Sequence, residues 1–185
     1  MKKRTLFSLS VLTLALAAPA AAQQGPRISV EPYVGYGFFG KLPETASNLE
    51  GDVAYGARAA YQFSPQWALF GNYQRSTPEL KTRDVGVGDV TVDHWAAGVE
   101  FSYTPRGGAE GMLPILMEAG LGQARYSGFR TGDESDLAVK LGLSSALQLT
   151  PNVAIRYGAD DYISNFRDNG VVNQVFVRVG AELSF

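Results

Sequence analysis

Read in steps of two, the chain resolves into eight stretches in which one parity is apolar and the other polar or small, over residues 28–38, 53–63, 67–75, 91–103, 115–125, 136–149, 153–161 and 172–185. A period of two marks a β-strand with two unlike faces. The apolar parity carries Val34, Tyr36 and Phe38 in the first stretch, Tyr55, Tyr61 and Phe63 in the second, Trp67, Leu69 and Tyr73 in the third, and Trp95, Val99, Phe101 and Tyr103 in the fourth. Ile115, Met117 and Leu121 follow, then the leucine-rich run from Leu137 to Leu149, then Val153, Ile155 and Tyr157. The final stretch is the most regular: Val175, Val177, Val179, Ala181, Leu183 and Phe185 share one face, and Gln174, Phe176, Arg178, Gly180, Glu182 and Ser184 the other. Most stretches reach the roughly 9–11 residues that a tilted strand needs to cross a bilayer.

Alternation alone also fits a soluble sandwich or barrel. The connections and the aromatic positions separate the two. Tight breaks at Ser64-Pro65-Gln66 and Thr150-Pro151-Asn152, and a third opening with Thr104-Pro105, recur about 40 and 46 residues apart, as a repeated hairpin unit would place them. The other four connections, 39–52, 76–90, 126–135 and 162–171, read as longer and polar. Aromatics of the apolar parity gather at both ends: Phe63, Trp67, Phe101, Tyr103 and Phe185 beside the short turns, and Tyr36, Phe38, Tyr55, Tyr73, Trp95 and Tyr157 toward the long connections. Two girdles with short turns at one end and long loops at the other are the layout of a transmembrane barrel.

The pattern therefore predicts an all-β chain folded as an eight-stranded antiparallel up-and-down transmembrane β-barrel. In hydrocarbon every backbone polar group needs an internal partner, so the sheet must close and the last strand must pair with the first. Pro32 cannot donate to a ladder, which predicts a bulge there or a strand that pairs only after it.

Composition agrees with the pattern. Twenty-one glycines, nine prolines and 11% aromatic residues disfavour helices, and with no cysteine the fold has no disulfide to lean on. Lys2, Lys3 and Arg4, the apolar run Leu6 to Leu16 and the A-x-A site at Ala20 and Ala22 read as a secretory signal peptide over 1–22, leaving a barrel domain over 23–185. The whole-chain charge of −2 becomes more negative without those three cations, and no basic patch points to nucleic acid.

The polar parity holds the candidate chemistry. An eight-stranded lumen is filled by its own side chains, and this one would enclose Glu31, Glu100, Glu118, Asp160 and Glu182 against Arg58, Lys140, Arg156 and Arg178, with His94 among them. Near-balanced charge in that space predicts a salt-bridged plug. Gly35-Tyr36-Gly37-Phe38-Phe39-Gly40 fits G-x-G-x-x-G, but a dinucleotide site needs a following helix, and Lys41-Leu42-Pro43 begins a polar loop instead. The acidic residues Asp133, Glu134, Asp136, Asp160 and Asp161 read as solvated loop charge rather than a cation site. No metal, cofactor or catalytic residue is expected.

The terminal strand, with Val179, Ala181, Leu183 and an aromatic last residue Phe185, resembles the outer-membrane assembly signal, and the mature chain as a whole resembles the small eight-stranded outer-membrane barrels of the outer membrane protein A/X type. That resemblance implies residence in the outer membrane of a Gram-negative-type cell, both termini in the periplasm, recognition by the barrel assembly machinery, and a monomer surrounded by membrane lipid. Lys41, Lys81, Arg83, Arg130 and Arg167 in the long loops could meet anionic lipopolysaccharide.

For function, the resemblance implies a non-enzymatic surface or envelope-integrity protein. A narrow pore or a conduit for hydrophobic solutes is the second reading, which lumen charge disfavours. The third is a lipid A-modifying enzyme. Lipid A deacylases set a serine two residues after a lipid-facing histidine, whereas here position 96 is Ala96, two after the lone His94.

Overall fold

A computed structural model describes residues 27–39, 47–82, 85–104, 113–128, 132–165 and 170–185. The expected signal segment lies outside the described residues, as do Gly40, Lys41, Arg83, Arg130 and Arg167, and Pro105 to Gly108 of the third proline turn.

The wall is built from β1 (Arg27–Phe39), β3 (Asp52–Gln62), β4 (Trp67–Ser76), β7 (Thr91–Tyr103), β8 (Ile115–Ser127), β9 (Glu134–Thr150), β10 (Val153–Asn165) and β11 (Val171–Ser184). These eight strands close in the order β1-β11-β10-β9-β8-β7-β4-β3, each antiparallel to its neighbours. The remaining strands, β2 (Ser47–Leu49), β5 (Glu79–Thr82) and β6 (Val85–Asp89), form a separate sheet of three in the order β2-β5-β6.

Closure runs to the last residue. Phe185 donates its backbone N–H to the Ile28 carbonyl at 2.9 Å, and Asn152 donates its side-chain amide to the Ser184 carbonyl at 2.8 Å. Backbone groups that would fray at a free end are thereby paired, as a spanning sheet requires.

Pro32 behaves differently from the sequence expectation. β1 pairs with β11 in one register on both sides of it, Val30 with Leu183 and Tyr33 with Gly180, while Pro32 itself pairs with Ala57 of β3. No bulge forms and pairing does not wait for the proline. Its ring points outward, and on the inner side Gly180 lets the two strands approach closely: a Cβ there would lie 2.8 Å from the Pro32 carbonyl oxygen.

Connection lengths also differ from the pattern. The first two long connections are organised by β2, β5 and β6, three short strands that the period of two does not mark. Leu49, Leu80 and Val90 from these connections pack with Val92, Ala124, Tyr126, Ala138 and Val172 of the wall and form a hydrophobic lid over the long-connection end. Lys81 pairs with Glu50 at 2.5 Å across that lid. At the other two, β8, β9, β10 and β11 run further than the alternation suggested, so only 128–133 and 166–170 remain between strands. At the opposite end, 104–114 is longer than a tight turn.

Outside, Ile28, Val34, Phe38, Leu69, Leu121, Leu137, Leu143, Val177 and Val179 are exposed all round the wall. A soluble domain would bury such a belt.

Candidate functional site

Inward parity concentrates the charge. Arg58, Lys140, Arg156 and Arg178 are at most 2% exposed, and they converge on carboxylates from five other positions on the wall. Glu118 of β8 is the hub: it meets Arg58 at 2.8 Å, Arg156 at 2.6 Å, Arg178 at 3.7 Å and the Lys140 ammonium in closer contact. Arg58 also reaches Glu100 at 2.5 Å, and Arg156 reaches Glu31 at 3.5 Å, Glu182 at 3.4 Å and Glu100. Asp160 closes the ring by accepting from Lys140 at 2.8 Å and from Arg178 at 2.7 Å, and Arg178 also holds Glu31.

Seven barrel strands contribute a charge. The eighth, β4, contributes Phe70, whose ring lies 5.0 Å from the Lys140 ammonium and 5.5 Å from the Arg58 guanidinium. Cations held against a ring face gain from its quadrupole. Every residue named from the sequence as lumen charge thus lies in one cluster, with His94 the exception.

His94 stands apart, further toward the long connections. Its ring stacks at 4.4 Å on Tyr162 and meets Phe176 edge-on at 5.4 Å. Around it lie Asn72, which donates to the Tyr33 hydroxyl at 2.7 Å and accepts from Tyr162 at 2.5 Å, and Gln174, which donates to the Tyr126 hydroxyl. This second layer is uncharged. Sequence reading missed it, although a signal was present: Tyr33, Phe70, Tyr126, Tyr162 and Phe176 are aromatics that sit on the polar parity. Gly37 makes room for this layer, since a Cβ there would enter the Phe176 ring.

The aromatic positions face outward. Phe63, Trp67, Tyr103 and Phe185 are exposed near the short turns, with the Trp67 ring packed at 4.9 Å against Phe101 in a tilted pair. Tyr36, Tyr55 and Trp95 are exposed near the other end, where Trp95 packs at 5.9 Å on Tyr73. Tyr157 does not join them. β10 continues to Asn165, which leaves Tyr157 nearer the short-turn end than the alternation over 153–161 implied.

One acidic reading is also corrected by position. Asp160 and Asp161 lie inside β10 rather than at the start of a loop, one facing the lumen and one the outer wall. In the connection between β8 and β9, Asp133 accepts from Arg125 at 2.8 Å, and this bond holds its carboxyl below the usual aspartate range. On the outer rim Arg75 grips Asp93 with two hydrogen bonds of 2.6 and 2.8 Å.

A closed sheet with an apolar exterior and a charged, filled interior defines the class of small transmembrane barrels. No protein-family model and no curated protein matches the chain. Solved structures do. Neisserial surface protein A superposes with a TM-score of 0.57 at 14% identity, over 87% of this chain and 97% of its own. The N-terminal β-barrel domain of Pseudomonas aeruginosa OprF gives 0.57 at 13%, over 88% and 100%. The outer membrane protein OprG of the same organism gives 0.55 at 12%, over 88% and 97%. At such identities the likeness is one of fold: the chain has the fold of the small eight-stranded outer-membrane barrels.

Proposed function

We propose that the chain is a non-enzymatic envelope protein of the bacterial outer membrane, a plugged barrel whose connections at the lidded end meet the outside. The observation that carries this reading is the single interlocked cluster around Glu118, to which every barrel strand contributes a charge or, at Phe70, a ring. Water and ions crossing the lumen would have to part ion pairs that have no solvent to replace them. The exposed apolar belt, the outward aromatics and the fold of the three comparison structures support outer-membrane residence.

On this reading residues 1–22 are an export signal, both termini face the periplasm, and the Val179–Phe185 strand end is what the assembly machinery recognises. The barrel works as a monomer among membrane lipid and lipopolysaccharide. The burial of His94 inside the wall, stacked on Tyr162, supports a non-enzymatic role, because no acyl chain on the lipid side reaches it.

Planar-bilayer recording of the refolded mature chain tests the proposal. Insertion without conductance steps is the expected result. Stable unitary steps would replace the plug with the narrow-pore reading.

A further inference from the structure

We infer that the closing seam between β1 and β11 is a latched line, the place where the wall parts first, and that Arg156 is the clamp that holds it shut from the lumen. The first observation is a gap in one ladder. Val30 pairs with Leu183 and Tyr33 with Gly180, so the register sets Glu31 against Glu182 and Pro32 against Ala181, yet neither of these two pairs is bridged. At the other seven junctions of the closed wall the pairing has no such gap, apart from a one-residue shift beside the turn at Thr150.

Backbone direction explains the gap. Phe185 exchanges both of its hydrogen bonds with Ile28, and Ser184 donates the other way, to Asn152. The N–H and C=O of one residue point to the same side of an antiparallel strand, and the side alternates along the chain. Ala181 shares the phase of Phe185, so its carbonyl is aimed at the nitrogen of Pro32, which has no hydrogen to donate.

Both faces of the gap are weak. Toward the lumen two carboxylates stand opposite each other, and like charges directly across a ladder destabilise it. Toward the lipid, Pro32 and Ala181 line an open groove of about 430 Å³ together with Val34, Ile155 and Val179. What spans the gap is side chain. Arg156 of β10 lies 3.5 Å from Glu31 on β1 and 3.4 Å from Glu182 on β11, and its partner on β11 is Gly180, which puts no side chain in its path. One guanidinium thereby ties the two opposed carboxylates, and Arg178 of β11 adds a second tie to Glu31.

Amide hydrogen exchange of the refolded chain in micelles, read residue by residue by NMR, tests both parts. β11 supplies its own control, because Val179 and Ala181 donate across the closing seam while Gly180 and Glu182 donate to β10 at nearly the same depth. The expected result is exchange at Val179 and Ala181 about ten times faster than at Gly180 and Glu182. Equal rates for the two sets would overturn the latch. Pro32→Val returns a donor to the gap and should bring the ratio close to one; a ratio that keeps its wild-type value would also overturn it. Arg156→Ala should raise the ratio further, whereas a loss of stability spread evenly over the wall would speed both sets alike and overturn the clamp. If that variant does not refold, Arg156→Lys, which keeps the charge without the fork that spans two carboxylates, is read in the same way.

Discussion

Arg156 and Arg125 present the same guanidinium to carboxylates at hydrogen-bonding distance, yet one is sealed inside the wall and the other stands on its outer rim. Arg156 has a side chain 1% exposed and is shared among Glu31, Glu100, Glu118 and Glu182. Arg125 and its partner Asp133 are 48% and 51% exposed. Distances do not rank the two. What separates them is what each partner would meet if the other were removed. Around Asp133 water re-forms the lost bonds at once, and exposed pairs contribute little. Inside the lumen no water stands by, and an orphaned charge keeps its full desolvation penalty.

The largest effect should therefore come from Arg156→Ala. It leaves five carboxylates facing three cations in the cluster, with Glu182 losing its guanidinium partner. Removing one partner from a buried pair costs about 3–5 kcal/mol. Urea unfolding of the refolded barrel, followed by its heat-dependent gel mobility, should show a midpoint far below that of the wild type, and Arg58→Ala should follow closely. Wild-type midpoints for both variants would refute the packed lumen and erase the contrast with the rim.

How far this contrast was legible depends on which forces write themselves into sequence. The eight wall strands were readable because lipid on one side and charge on the other impose a strict period of two. Glu31, Arg58, Glu118 and Arg178 could be placed inside from parity alone, though not that Glu118 touches every cation, since that depends on how the strands tilt around the barrel. The β2-β5-β6 lid was not readable. Its strands are short, and their alternation is carried by single residues such as Leu49 and Leu80, while β2 becomes a strand only by pairing with β5 of another connection. His94 was misplaced for a related reason: parity says inward, but says nothing of height within the lumen.

Arg75 tests the ground between the extremes. Its side chain is 41% exposed while that of its partner Asp93 is only 11% exposed, and Asp93 also accepts from the Tyr73 hydroxyl at 2.7 Å. Arg75→Ala leaves the largely buried carboxylate with one neutral donor and with Arg125, its cross-strand neighbour on β8, as the remaining cation nearby. The expected loss is about 1 kcal/mol, between the buried and exposed cases. A loss as large as that of Arg156→Ala would mean that Asp93 is screened from headgroup water, and that the boundary between the two environments lies further out than the aromatic pair Tyr73 and Trp95 suggests.

Arg125→Ala should give the smallest effect, with an unfolding midpoint at neutral pH indistinguishable from wild type. Its consequence should appear in titration instead. The Arg125 bond lowers the Asp133 pKa in the folded chain. A lowered carboxylate pKa contributes stability above the unfolded aspartate value of about 4, and that contribution fades as pH falls through the folded value. Carboxyl ¹³C shifts of Asp133 should then titrate below the ordinary aspartate range in the wild type and return to it in Arg125→Ala. A carboxyl that titrates alike in both would mean that the rim pair does not persist in solution, and that exposure alone removes the bond which, around Arg156, burial preserves.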